Sequence, residues 1–335
     1  MPRRHRPEMT MIPRLHLAHL PTPLWRHDAL DEVCGTEVWV KRDDMTAGAA
    51  AGNKIRKLEW LAADAIDRRA SVLLTCGGVQ SNHARATALV GAQLGLRVML
   101  FLRTEHPEAP QEVTGNLLLD RVAGAEVYFI TPAQYRDRGE VMQNAADELG
   151  RRGEVPYIIP EGGSNGRGAL GYVEAMREVR SQLDLGLGGG PQPFEAVVHA
   201  CGSGGTAAGV TLGARAFDVA RRTLAMAVCD DRATFDAIIA RTVAEALVLR
   251  PELREPGPLE VIDEFRGPAY GVPSAEQRQF IVTVARRTGL VLDPVYSGKA
   301  LFGLSRLSPK PSRVLFIHTG GLPGLLAQSA SFEDL

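Results

Sequence analysis

Apolar positions along the chain alternate between two rhythms. Short apolar runs fall at Glu37–Lys41, Ser71–Thr75, Arg97–Leu102, Ala125–Ile130 and Tyr157–Ile159. Between them, apolar residues recur at the spacing of a single helix face, as Ile55, Leu58, Leu61, Ala62, Ala65 and Ile66 do. The same spacing predicts helices over Asn82–Leu94, Thr114–Val122 and about Arg138–Arg151. A second series starts at Ala196–Ala200 and continues through runs at Leu224–Val228, Leu259–Ile262, Leu290–Leu292 and Val314–His318, with helical stretches between them. Strands alternating with helices predict an α/β protein with two open, mostly parallel, doubly wound layers.

The joints between these elements are legible too. An extended lead-in from Leu20 and a polar, Ala-rich loop over Arg42–Ala51 precede the first long helix. Residues 160–168, Pro-Glu-Gly-Gly-Ser-Asn-Gly-Arg-Gly, are turn-forming and predict a crossing between two domains. A helix over Ala169–Leu183 follows, and the Gly- and Pro-rich Leu185–Pro193 reads as a mobile surface loop. No repeat of fixed period runs through the chain.

Composition narrows the partners more than the fold. With 335 residues, 45% hydrophobic and 23% charged, the chain has material for two domains with real cores. A net charge of -1 gives no electrostatic reason to expect nucleic acid or an anionic membrane as partner. Cys34, Cys76, Cys201 and Cys229 are widely spaced without a CxxC pair, which suggests buried thiols in a reducing compartment, neither a zinc site nor a disulfide framework. The first eleven residues are basic without an apolar core after them, and no stretch approaches the ~18 apolar residues of a membrane span. The expectation is a cytoplasmic protein without a metal, with Met9 and Met11 as alternative starts.

Candidate chemistry sits in the turns. Lys54 and Lys57 lie three apart on the first turn of a helix, where the dipole disfavours cations. An anion bound at that helix start would reconcile them, and so would a lysine made nucleophilic by positive surroundings; a solvated basic face is the alternative. Ser81, Asn82 and His83 open a helix after a strand, either as simple caps or as a carboxylate site. Cys201-Gly202-Ser203-Gly204-Gly205-Thr206 joins a strand to a helix and allows backbone N–H groups to close around a phosphate. Gly202-x-Gly204-x-x-Ala207, with Asp230 ending the next strand, also fits a dinucleotide fingerprint, so a nicotinamide-dependent oxidoreductase competes at this point. Tyr296, Ser297 and Thr319 lie in two further loops, where an aromatic packing residue and two caps are the plain alternatives.

Taken in order, several segments resemble one family. They are KRDD (41–44), GNKIRKLE (52–59), QSNHAR (80–85), GGSN (162–165), GALGY (168–172), GSGGT (202–206), YGVP (270–273), LDPVYSGKA (292–300) and HTGG (318–321). They resemble the pyridoxal-phosphate enzymes that include D-cysteine desulfhydrase, L-cysteate sulfo-lyase and 1-aminocyclopropane-1-carboxylate deaminase. The resemblance implies the tryptophan synthase β-like (type II) fold, with a small α/β domain over 51–164 inserted in a larger cofactor domain made of 1–50 and 165–335. It implies pyridoxal 5'-phosphate as cofactor, a small amino acid as substrate and a homodimer. Lys54 matches the Schiff-base lysine, and residues 201–206 match the phosphate cup with Lys57 as helper. Asn82 matches the contact to the cofactor's ring oxygen. Ser81, Asn82 and His83 match the substrate-carboxylate site, and Ser81 is also a catalytic candidate. Tyr296 matches a residue over the reacting carbon, Ser297 falls beside the ring nitrogen and Thr319 near the same edge.

Three positions separate the chain from the deaminase pattern, which carries Gln, Glu and Leu where His83, Ser297 and Thr319 stand. A hydroxyl beside the ring nitrogen leaves that nitrogen closer to neutral than a carboxylate would, which suits loss of a good leaving group better than opening an unactivated ring. D-Cysteine to pyruvate, ammonia and hydrogen sulfide is the expected reaction, with the deaminase and the sulfo-lyase as alternatives and a cofactor-binding protein without catalysis as a remote one. Ala51, Ala86 and Glu161 depart from every branch of the pattern.

Overall fold

The computed structural model describes residues 12–333. The basic leader and the two alternative start methionines lie outside them. A six-stranded sheet holds β1 (Leu24–Arg26), β2 (Glu37–Lys41), β7 (Phe194–Cys201), β8 (Ala220–Ala227), β9 (Leu259–Ile262) and β10 (Arg313–Ile317), in the order β1-β2-β10-β7-β8-β9. A four-stranded sheet holds β3 (Val72–Gly78), β4 (Arg97–Arg103), β5 (Glu126–Ile130) and β6 (Pro156–Ile158), in the order β5-β4-β3-β6. Every pairing in both sheets is parallel except β1 with β2.

The helices flank both faces of both sheets. They are α1 (Asp28–Cys34), α2 (Asn53–Asp67), α3 (Asn82–Leu94), α4 (Gly115–Val122), α5 (Pro132–Arg136) and α6 (Arg138–Arg151) in the first half. The second half adds α7 (Gly166–Asp184), α8 (Gly205–Ala216), α9 (Arg232–Leu249), α10 (Ala275–Thr288), α11 (Ser297–Arg306) and α12 (Leu322–Leu326). Strand side chains alternate between the two faces, as a period of two requires. Val198, Val314 and Phe316 join a core with Leu30 and Leu301, while Val197, Leu315 and Ile317 join another with Tyr172 and Val179. In the smaller sheet, Leu73 and Leu100 pack toward Leu58 and Ala84, and Leu74 and Phe101 toward Met142 and Leu149.

One expected strand is absent. Leu290–Leu292 is irregular backbone, although Leu290 and Leu292 are both buried in the core under α10 and α11. Burial alone gave that run its apolar character. The Lys54 helix begins at Asn53, and Gly52 is the residue before it, with φ 124°. A Cβ at position 52 would stand 2.9 Å from Thr319 O, and the Asn53 N–H donates to that same carbonyl at 3.1 Å. Glycine is needed there because the loop after β10 sits directly on the start of α2.

The opposite side of α2 is held by a buried ionic network. Arg56 donates from Nε and Nη2 to both oxygens of Asp43, each at 2.8 Å, and from Nη1 to Glu178 at 2.9 Å. Lys41 reaches the same Glu178 at 2.5 Å, and the Tyr172 hydroxyl donates to Asp43 at 2.7 Å. KRDD thus ties the end of β2 to α2 and α7, which fixes where Lys54 points.

Candidate active site

The loops with candidate chemistry meet at the carboxyl ends of β3, β7 and β10, where open α/β sheets hold ligands. Between the two sheets they enclose a cavity of about 820 Å³. Lys54 stands on its wall with Ser81, Asn82 and His83, and Cys201, Gly202, Ser203, Gly204 and Thr206 line it from the β7–α8 loop. Tyr296 and Thr319 complete the set. Lys57, Gly205 and Ser297 do not line the cavity.

The two lysines have separate surroundings. Burial brings the Lys54 ammonium down to about 8, against a partial counter-pull from Glu161 and Cys201. Lys57 is 1% exposed, and burial followed by the nearby Lys54 charge pushes its pKa well below the ordinary lysine range. Its Nζ donates to Gly162 O at 3.0 Å and toward Ser164 Oγ at 3.5 Å. A Cβ on Gly205 would come within 2.8 Å of that Nζ, so Lys57 lies directly beneath the glycine loop. Gly204, with φ 77°, turns the chain into α8 and leaves the amides of its first turn at the cavity end. The loop is braced by Ser164, whose hydroxyl donates to Ser203 Oγ at 2.9 Å and accepts from Gly205 N at 3.2 Å. Asn53 Nδ2 donates to Thr206 Oγ1 at 3.2 Å, linking the starts of α2 and α8.

The start of α3 forms a second polar wall. Ser81 caps the helix by accepting from Ala84 N at 3.2 Å. His83 Nε2 lies 3.0 Å from Thr75 Oγ1, whose own proton goes to Ile159 O at 2.9 Å, so the imidazole donates to the threonine. Burial, with Lys54 and Lys57 nearby, holds His83 far below the usual histidine range and therefore neutral. The free backbone N–H groups of this helix start suit a carboxylate, whereas the neutral His83 ring, its proton given to Thr75, offers only an acceptor at Nδ1.

Opposite stands a residue that the sequence reading left without a role. Tyr270, within YGVP, places its hydroxyl 2.6 Å from that of Tyr296, with the rings edge-on at 74°. Burial raises both phenols, Tyr270 to about 12 and Tyr296 well above the usual value, so each keeps its proton at neutral pH. Gly202 leaves room for this pair, since a Cβ there would lie 3.0 Å from the Tyr296 ring. Arg103 is a second unforeseen residue, lying 4.9 Å from the Tyr135 ring and 5.5 Å from that of Tyr270. Ser297 is turned inward instead: its hydroxyl donates to Asp293 Oδ1 at 2.6 Å and accepts from Asp293 N at 2.9 Å. Asp293 thus holds the hydroxyl within its own loop, behind the cavity wall. Cys201 is buried, and burial pushes its thiol up to about 12, which removes it as a nucleophile.

A desolvated lysine facing a glycine-rich helix start, between two parallel sheets, defines a pyridoxal-phosphate enzyme of the tryptophan synthase β-like class. The sequence profile of the family described as "Pyridoxal-phosphate dependent enzyme" matches residues 15–320, and the chain belongs to that family. Among its relatives, a mitochondrial bifunctional D-cysteine desulfhydrase/1-aminocyclopropane-1-carboxylate deaminase of Arabidopsis thaliana is 42% identical, over 92% of this chain and 78% of that protein. A D-cysteine desulfhydrase of Serratia proteamaculans is 37% identical, over 96% of this chain and 97% of its own. The crystal structure of an ACC deaminase homologue superposes with a TM-score of 0.87 at 34% identity, covering 97% of each chain. The protein is a pyridoxal-phosphate-dependent lyase. The nicotinamide reading falls with the family match.

The residues present fit the cofactor. Lys54 and Lys57 bring two amines into one desolvated region, and neither is ion-paired with a carboxylate among the described residues. A phosphate at the α8 start would supply the missing negative charge.

Proposed function

We propose that the protein eliminates hydrogen sulfide from D-cysteine, giving pyruvate and ammonia after hydrolysis. When bound, pyridoxal phosphate supplies the electron sink. Lys54 is the covalent anchor, and its freed amine takes the proton from the α-carbon; a pKa of about 8 suits a base working near neutrality. Residues 202–206 would hold the phosphate with Lys57 beneath them, Asn82 would donate to the ring oxygen, and Thr319 lines the same cavity. The Ser81 hydroxyl and the backbone N–H groups of Asn82 and His83 would hold the substrate carboxylate, which orients the bond to be broken. Tyr296, kept protonated and paired with Tyr270, gives a proton to sulfur as the C–S bond breaks and sulfur leaves with the electron pair. Water then converts the released enamine to pyruvate and ammonia.

The observation that carries the choice of substrate lies at positions 297 and 319. Both are hydroxyl residues, and Ser297 is committed to Asp293. Among the described residues the carboxylates on the cavity wall are Glu161, paired with Arg138 at 2.9 Å, and Asp230. A ring nitrogen without a dedicated acid makes a weaker sink, adequate for a thiol leaving group. A second reading, 1-aminocyclopropane-1-carboxylate deamination, is favoured by the names of the Arabidopsis relative and of the homologous crystal structure. A keto-acid assay across D-cysteine, L-cysteine, cysteate, β-chloroalanine, D-serine and the cyclopropane substrate separates them. Pyruvate from D-cysteine above all others is expected. 2-Oxobutanoate as the main product would overturn the first reading in favour of the second.

The same reading takes 51–164 as a small domain between the 1–50 and 165–335 parts of a larger one. In support, β3 to β6 form their own sheet. A homodimer fits the exposed apolar side chains of Leu118, Val122, Leu322 and Leu326 on the packed pair α4 and α12; light scattering would measure it. Four unpaired cysteines favour the cytoplasm, and no helix among the described residues is long and apolar enough to cross a membrane.

A further inference from the structure

Asn82 opens α3 at the cavity wall, and its amide can present either end to a ligand, an NH2 donor or a carbonyl acceptor. Which end faces inward is decided on another element. Asn116, near the start of α4, is wholly buried, and its Nδ2 donates to Gln80 O at 3.0 Å and to Asn82 Oδ1 at 3.1 Å. Gln80 O is a backbone carbonyl, and it can only accept. The atom of Asn116 facing it is therefore the NH2, since the reverse orientation would set two acceptors against each other. The second hydrogen of that NH2 fixes the Asn82 carbonyl oxygen toward Asn116, which leaves the Asn82 NH2 for the cavity. Asn116 Oδ1 has no partner among the described residues, so these two bonds alone orient the amide. Its position is clamped independently: Asn116 N donates to Gln80 Oε1 at 2.8 Å, and Gln80 Nε2 donates to Thr114 O at 3.1 Å.

We propose that Asn116 is a positioning residue that sets the polarity of Asn82, so that a donor faces the ring oxygen of the cofactor. This rests on the reading of Asn82 as the ring-oxygen contact. The ring oxygen is anionic in the Lys54-bound cofactor, and an anion needs a donor. A donor draws charge from that oxygen and lowers its hold on the proton of the linking nitrogen. As pH rises, the nitrogen loses the proton and the visible band converts. Reversing Asn82 would present an acceptor to an anion, and the midpoint of the conversion would rise.

The test is the pH midpoint of that band in Asn116→Asp, Asn116→Ala, Asn82→Ala and the double variants, all loaded with cofactor. An aspartate at 116, once ionised, can only accept, so it turns the Asn82 amide over. Asn116→Asp is expected to raise the midpoint by about one pH unit, tenfold in proton affinity, as loss of a hydrogen bond to a charged group implies. Asn116→Ala, which frees Asn82 without reversing it, raises the midpoint by less and serves if the aspartate variant fails to fold. Asn116→Ala, which adds no charge, does not move the midpoint further once Asn82→Ala is present. An unchanged midpoint in the single variants at 116, or an Asn116→Ala shift that persists in the Asn82→Ala background, overturns the proposal. An unchanged midpoint in Asn82→Ala itself overturns the underlying contact and the proposal with it.

Discussion

At the scale of single residues, the site depends on which groups keep or lose a proton. Free lysine is protonated throughout the neutral range, whereas burial brings Lys54 to about 8. Only the neutral amine attacks the cofactor's aldehyde, so its capture by the apoprotein should accelerate as pH rises toward 8 and level off above it. Stopped-flow absorbance at saturating cofactor measures this, and a rate flat between pH 6 and 9 would contradict the low pKa (about 8). Tyr270 meets the cavity alongside Tyr296, the proton donor proposed above. Tyr270→Phe leaves the buried Tyr296 hydroxyl without its 2.6 Å partner, and kcat should fall about tenfold with little change in KM. Steady-state kinetics on D-cysteine decide this. Lys54 stood out in the sequence because two cations at a helix start are anomalous. Tyr270 did not, because its loop has no periodicity and its partner lies 26 residues away.

At the scale of elements, α2 positions Lys54 and is itself positioned from outside. Its Arg56 is bound by Asp43 and Glu178, which are 13 and 122 residues distant, so nothing in the helical spacing announces those bonds. Removing one partner leaves an unpaired buried charge, and Arg56→Met should destabilise the protein by about 3–5 kcal/mol in denaturant unfolding. Burial alone would raise the Asp43 carboxyl, but Arg56 and Lys41 outweigh it and hold it below its ordinary 3.8. The stabilisation is therefore present above pH 3.8 and is lost as pH falls through the lower folded value. Arg56→Met should remove that acid-side loss from the stability profile. Elements with local signals were read closely: α3, α6 and β9 have the expected bounds, set by Ser81 as cap, by helical periodicity and by a short apolar run. Leu290–Leu292 misled because a buried irregular segment and a strand share the same composition.

At the scale of the whole molecule, function comes from juxtaposing loops of two sheets. Parallel strands send their carboxyl ends to one side, so Lys54, residues 81–83 and residues 202–206 meet there despite their separation in sequence. The alternation of runs and helices disclosed this architecture. The arrangement inside the cleft was disclosed only in part: Lys57 lies under the glycine loop, Ser297 turns toward Asp293, and Asn82 takes its orientation from α4. Each of these depends on a hydrogen bond whose geometry residue type alone does not determine. The whole arrangement serves one amine. Pyruvate release from D-cysteine by the cofactor-loaded wild type and Lys54→Ala tests this most directly. The wild type should release pyruvate and sulfide in equal amounts, and Lys54→Ala should release neither while still binding cofactor. Turnover that survives in Lys54→Ala, or a cofactor-loaded wild type that yields no pyruvate, would contradict the account.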